Sequence, residues 1–338
     1  MLYEFFHIWH VSIGSIGCLA NLLLCYVALF KTPKATRSYA TFILNFAITD
    51  FAECFLDLFL QPRFILTPVN GVLIYVFHGF CQFTGPMSCK IGVSVLLHCF
   101  PHSAWSLLLS FTYRYFILHH PPIPRKILVL IILLVYTPSL FQALTFWTAF
   151  VDRERILPLA DSYFPNYNLS TEDGVLMGVT SIKSFPVMFL IIHLCVPIFP
   201  IYIIIFIMRA KIVKNLMEKA AMMSQETRAS HKQILKCLTI QAFIPTLFVI
   251  TILCYIVAQL GILTHPILEY TIYAAILPMP MLSPFTYLVF VRPYRLFCRR
   301  LLTLKTSVGQ TNRSVRFEST AHGSTGGSAK KYTVPPNS

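Results

Sequence analysis

Residues 126–136 read KILVLIILLVY, and the fold turns on what that run can form. It shows no alternation of apolar and polar positions, so it lacks the period of two of a membrane β-strand. A helix satisfies its own backbone hydrogen bonds in lipid, where water cannot. The run therefore predicts a membrane helix over about residues 127–149.

Six further runs have the same character, at about residues 8–30, 39–60, 86–112, 185–208, 234–258 and 268–291. The 338-residue chain is 56% hydrophobic and 12% charged, against about 45–50% and 25% in soluble domains. We expect an all-α membrane protein, a seven-transmembrane helix bundle with its termini on opposite sides.

Charge placement sets the expected orientation. Segments 31–38, 113–126, 209–236 and 292–338 hold 22 of the 27 Lys and Arg residues but only three acids, Glu218, Glu226 and Glu318. This is the positive-inside pattern, not a nucleic-acid footprint. It predicts an extracellular N-terminus (1–7), a seven-transmembrane domain (8–291) and a cytoplasmic segment (292–338) that is basic beside the membrane and then disordered. Its first part, RPYRLFCRRLLTLK, has the mixture of an interfacial helix on anionic lipid. No cleavable signal peptide is evident.

That topology puts the sequon Asn168-Leu169-Ser170 outside, as a glycosylation site, and Asn312-Arg313-Ser314 inside, unmodified. Cys81 and Cys89 lie at the outer entrance of the third span and are candidates to bridge each other. Cys298, among basic residues after the last span, is a palmitoylation candidate. Prolines at 101, 138, 186, 197, 200, 245, 278, 280 and 284 are candidate kinks. Tail residues such as Ser307 and Thr311 are candidate phosphorylation sites.

Inside the second span, Asp50, Glu53 and Asp57 recur at i, i+3 and i+7, on one face. Facing lipid, each would cost about 2.5–3.5 kcal/mol, so that face is expected to point inward. In the third span Lys90, His98 and His102 share a face, and a pairing of Lys90 with Asp57 is expected. His98 and His102 with Glu53 form a conceivable zinc set, set against the blander reading of a hydrogen-bonded core. A ligand cleft is expected between the outer halves of spans three, five, six and seven, with candidates His98, Phe100, His193, Tyr255, Tyr270 and Tyr273. Phosphate-loop, zincin and nucleophile-elbow motifs are absent from the sequence, so no catalysis and no cofactor are expected.

Arg114 ends the third span inside TYRY; span two carries NFAITDF, span six AFIP and span seven SPFTY. In order and depth these resemble the signature positions of rhodopsin-like G-protein-coupled receptors, and Asn21 in CLANLLL fits the first-span asparagine of that family. The chain departs from the pattern with Tyr113 before the arginine, Ser283 for the usual asparagine and Phe243 at the sixth-span tryptophan position. With FKTP, HCFPHSAWSLLLSFTYRY and SPFTYLVFVRPYR, the resemblance is closer to nematode serpentine chemoreceptors, class delta.

The resemblance implies an odorant or small-molecule receptor in the plasma membrane of sensory neurons, at the cilium, activating a heterotrimeric G protein. It implies that Arg114 and Tyr115, with Pro245, Pro284 and Tyr287, form the switch, and that the basic inner loops, including Lys232 and Lys236, meet the G protein. It also implies a sodium or water site at Asp50, Ser103 and Ser283. Without an adjacent acid, Arg114 must find other acceptors at rest, and Tyr287 is one candidate. A ligand-gated channel using the acidic stripe of span two, and a secondary transporter, are the rival readings.

Overall fold

The computed structural model describes residues 2–33, 37–67, 71–219, 236, 239–244, 246–263 and 265–301. It divides into two compact units, residues 1–295 and 296–338. In the second, residues 296–301 are helical and Cys298 is a half-buried free thiol. Lys232, Pro245, the tail serines and threonines and Asn312 lie outside the described residues.

The first unit opens with α1 (Leu2–Phe30), which begins six residues earlier than the expected span at residue 8. Its first turn carries Glu4, a favourable charge at a helix start. One stripe of α1 (His10, Gly14, Gly17 and Asn21) is buried against α2 (Arg37–Leu60) and the C-terminal part of the bundle. A Cβ on Gly17 would sit 2.3 Å from the Cys54 sulfur, so glycine is what lets the two helices approach there. Asn21 Nδ2 donates to the carbonyls of Gly17 and Pro280, each at 3.0 Å, and ties α1 to the last helix.

After α2 the chain forms a feature absent from the sequence expectations, a three-stranded antiparallel sheet. It comprises β1 (Pro62–Leu66), β2 (Leu73–Phe77) and β3 (Val175–Val179), with β2 central. Phe64 lies opposite Tyr75, and Tyr75 opposite Met177. Alternation sends Phe64, Leu73, Tyr75 and Phe77 to the bundle core and Ile65, Ile74 and Val76 to the other face. That second face is covered by Ile156 and Ala160 of α5 (Arg153–Tyr163) and by Leu169. The segment 150–184, expected as a plain loop, therefore contributes a helix and a strand.

The 3₁₀ turn Phe80–Phe83 leads into α3 (Pro86–Phe116), and a disulfide joins Cys81 to Cys89 with their Cα atoms 5.3 Å apart. Then follow α4 (Arg125–Phe146), α6 (Phe185–Cys195), α7 (Ile198–Lys219), α8 (Thr246–Gln259), α9 (Pro266–Ala274) and α10 (Pro278–Phe290). Two expected spans are thus broken, between α6 and α7 beside Pro197 and between α9 and α10 before Pro278. Proline removes the amide that would continue the ladder. Pro101 and Pro138 are instead absorbed inside α3 and α4.

Among the described residues, six helical stretches are long and apolar enough to cross a membrane: 2–30, 86–116, 125–149, 185–218, 239–259 and 266–290. The helix α2 is as long as a span but carries three acids, all buried inside the bundle.

Candidate functional site

Two chambers lie one below the other in the first unit. The upper one, of about 70 Å³, lies between α3, α6, α8 and α9. Its wall includes Phe100, Leu194, Thr251, Tyr255 and Tyr273, and its roof is Phe64, Leu73 and Tyr75 of the sheet. The Phe64 ring stacks on Tyr255 at 6.3 Å and meets Tyr273 edge-on at 6.1 Å. The Tyr75 and Tyr273 hydroxyls face each other, so both ring bodies present carbon to the cavity. Thr251 Oγ1 is buried and has no hydrogen-bond partner among the described residues. Such a cavity suits a small uncharged molecule with one hydrogen-bonding group.

Of the six candidates taken from the sequence, Phe100, Tyr255 and Tyr273 line this chamber, and three do not. His98 turns towards α4, where its Nε2 meets the Tyr136 hydroxyl at 2.9 Å. It stands two residues from Phe100, about 200° around the helix, so the two cannot share an inward face. His193 also faces α4, with Nδ1 donating to Gln142 Oε1 at 2.9 Å. Tyr270 sits a turn earlier on α9, stacked on Phe6 at 5.0 Å.

Above the chamber, Arg63 of β1 ties three segments together. Its Nε donates to Glu269 of α9 at 2.8 Å, and its Nη1 donates to Glu172 of the 164–174 segment. Tyr167 donates to the other Glu269 oxygen at 2.8 Å, and the rings of Tyr167 and Tyr270 flank the guanidinium. Burial and the Glu269 bond push the Tyr167 hydroxyl up, which keeps it a donor. Burial, then the Arg63 charge and His7, push nearby His78 down to about 4, although Asp173 opposes them. This latch was not anticipated; its signal was a lone arginine in an apolar five-residue run, PRFIL. Asn168, on the same segment, is exposed and adopts a positive φ of 47°, which asparagine tolerates.

The lower chamber, of about 50 Å³, is lined by Asp50, Ser103, Gln241, Ser283 and Tyr287. Phe100 and Phe248, with ring centroids 6.0 Å apart, line both chambers and form the partition. The residue at the expected tryptophan position, Phe243, packs instead on Phe206 and is half exposed.

The three acids of α2 are buried, as their common face required, but each has a different neighbour. Asp50 faces the Ser283 hydroxyl, Glu53 accepts from Ser103 at 2.7 Å, and Asp57 meets His10 Nδ1 at 2.7 Å. The expected Asp57–Lys90 pair is therefore corrected: Lys90 bridges Asp152 at 2.8 Å, and the His10 stripe of α1 supplies the partner of Asp57. His98, His102 and Glu53 do not converge as a zinc set would, since each is engaged with a different residue.

At the end away from the sheet, the buried Arg114 guanidinium lies over the Tyr39 ring, 4.5 Å from its centroid. Tyr113 is inserted between α2 and α4, against Phe42 and Leu128. Tyr115 lies under Lys211 of α7, at 5.8 Å, while Lys236 is exposed. Pro284 and Tyr287 are buried on α10, and Tyr287 meets Phe46 at 6.5 Å.

The fold is shared with squid rhodopsin, at a TM-score of 0.56 and 13% identity, over 87% of this chain and 83% of that one. Two relatives from Caenorhabditis elegans, serpentine receptor class delta-19 and class delta-18, are each 53% identical over 298 residues, 88% of this chain and 88% of theirs. Serpentine receptor class delta-3 of the same organism is 33% identical over 84% of this chain and 83% of its own. The family model for the serpentine type 7TM GPCR chemoreceptor Srd matches residues 6–300. The chain is therefore a multi-pass membrane protein that belongs to the Srd family of serpentine chemoreceptors, a receptor and not an enzyme family.

Proposed function

We propose that this chain detects a small, uncharged, mostly apolar molecule in the chamber beneath the sheet and activates a heterotrimeric G protein at the Arg114 end. The supporting observation is the wall that the two chambers share, formed by Phe100 and Phe248. A ligand above that pair presses on α3 and α8 directly. The same two rings border the polar chamber that reaches Tyr287. The ligand shifts the receptor only by binding one arrangement of these helices better than the other.

In this reading the sheet end is extracellular, as the charge asymmetry requires, and Asn168 carries the glycan. The basic face of Lys211, Lys214 and Lys236 meets the G protein, with Arg114 presented when α8 moves. The lower chamber, with Asp50, Ser103 and Ser283 on its wall, has room for a sodium ion or a water. In this reading the receptor works in the membrane of sensory cilia, where a chemoreceptor meets its ligand.

The test is a panel of uncharged odorants on cells expressing the full chain, read by a second-messenger reporter. A response is expected that Thr251→Val weakens and Arg114→Ala abolishes, with surface expression unchanged in both. Persistence of the response with Arg114→Ala or with G proteins blocked would reject the coupling.

A further inference from the structure

Outside both chambers, a groove of about 290 Å³ opens between α2, α3 and α4. Its rim carries Ile48 and Leu133, which are 56% and 57% exposed on the outer surface of the bundle. On a membrane helix such a surface meets lipid, so anything entering this groove arrives through the bilayer. Its back wall is polar, which lipid tails alone would not favour: Asn45, His98, His102 and Tyr136 all line it.

The hydrogen bonds set what this wall lacks. His98 Nδ1 is bonded to the Val95 carbonyl, so it carries the proton, and Nε2 is left as an acceptor. The Tyr136 hydroxyl, 2.9 Å away, must then donate to His98, which leaves its oxygen lone pairs. Asn45 Nδ2 donates to Ser106 Oγ at 2.9 Å, so Asn45 presents Oδ1 to His102 Nε2, 3.3 Å away; Ser106 Oγ also lies 3.3 Å from Nε2, and because the amide oxygen only accepts, Nε2 carries that ring's proton. His102 Nδ1 is consequently an acceptor, and it is buried with no partner among the described residues. His102 itself is 3% exposed and packs edge-on against the Tyr136 ring at 4.8 Å. An imidazolium here would be costly in the hydrocarbon core, so the ring is neutral.

The wall therefore offers acceptors and asks for one uncharged donor. The geometry points to a binding site for a small aliphatic alcohol dissolved in the membrane, its hydroxyl donating to His102 and its chain lying between Ile48 and Leu133. Depth selects among alcohols. His102 lies near the middle of α3 (Pro86–Phe116), with about 20 Å of helix on either side. A sterol keeps its hydroxyl at the interface, about 15 Å from the bilayer centre. A short alcohol is free to bring its hydroxyl to mid-depth.

The experiment uses the full chain in sterol-free phospholipid nanodiscs and a diazirine-bearing 1-decanol as photoprobe. Saturable labelling of peptides spanning 98–102 and 132–136 is expected, competed by 1-decanol at least ten times better than by decane or decyl methyl ether. His102→Phe keeps a ring in place but removes the acceptor, and should weaken labelling about tenfold. Leu133→Trp, changed only at the lipid surface, should block the mouth and abolish labelling without depending on the core. Equal competition by the ether or by decane, or unchanged labelling with His102→Phe, would overturn the donor requirement. Competition by cholesterol as strong as by 1-decanol would overturn the mid-membrane placement.

Discussion

The two chambers are made of opposite materials. Above Phe100 and Phe248 the walls are aromatic and aliphatic, and charge is pushed outward to the latch of Arg63, Glu172 and Glu269. Below them Asp50, Ser103, Gln241 and Ser283 crowd a smaller space. The difference teaches where each half gets its shape. The upper half is held by packing and by a sheet that brings distant segments together; the lower half is held by hydrogen bonds between neighbouring helices.

The comparison breaks first at the roof. Phe64→Ala removes a ring buried against Tyr75, Tyr255 and Tyr273, and should destabilise the receptor by about 3–5 kcal/mol in denaturation of the purified protein. An unchanged unfolding midpoint would mean that the sheet is not part of the core. Next is the latch. Arg63→Met leaves Glu269 and Glu172 uncompensated and should cost about 3 kcal/mol, part of which Glu269→Gln in the same chain should restore.

In the lower half, Ser103→Ala strips the hydroxyl partner from the buried Glu53 side chain. A loss of about 1–3 kcal/mol is expected, with little effect on ligand affinity if the chambers act as separate materials.

His78 sharpens the comparison through pH. Its ring titrates near 6.5 when unfolded and at about 4 in the folded receptor. The unfolded chain takes up the proton first, so stability is complete above about pH 6.5 and declines as the pH falls towards 4. Replacing it with Phe should flatten that part of the stability profile. The smallest effect is expected from Lys90→Gln, because its partner Asp152 is largely exposed: about 0.5 kcal/mol, and less in high salt.

What was legible in the sequence followed from local rules. The spans were readable because lipid demands long apolar helices, and the α2 acids had to face inward because lipid penalises them. Cys81 and Cys89, eight positions apart, were legible as candidates for a bridge, but that they pair is decided by the approach of their Cα atoms to 5.3 Å. The sheet was a harder case. PRFIL and LIYVF are five-residue apolar runs bounded by proline, asparagine and glycine, a hairpin signal, but β3 lies about a hundred residues further on. Rotation of the helices was also hidden. His98 and Phe100 both sat at a plausible depth, and only packing decided that Phe100 faces the cavity and His98 faces Tyr136.

By itself the sequence determined a helical membrane protein and the family it belongs to, because hydrophobic length and short signatures are properties of contiguous residues. Tertiary structure alone decided that a sheet roofs the cavity, that Arg63 latches it to α9 and that Asp57 answers to His10 rather than Lys90. Those are pairings between residues far apart in the chain, and which pair forms depends on the angle and rotation at which whole helices pack.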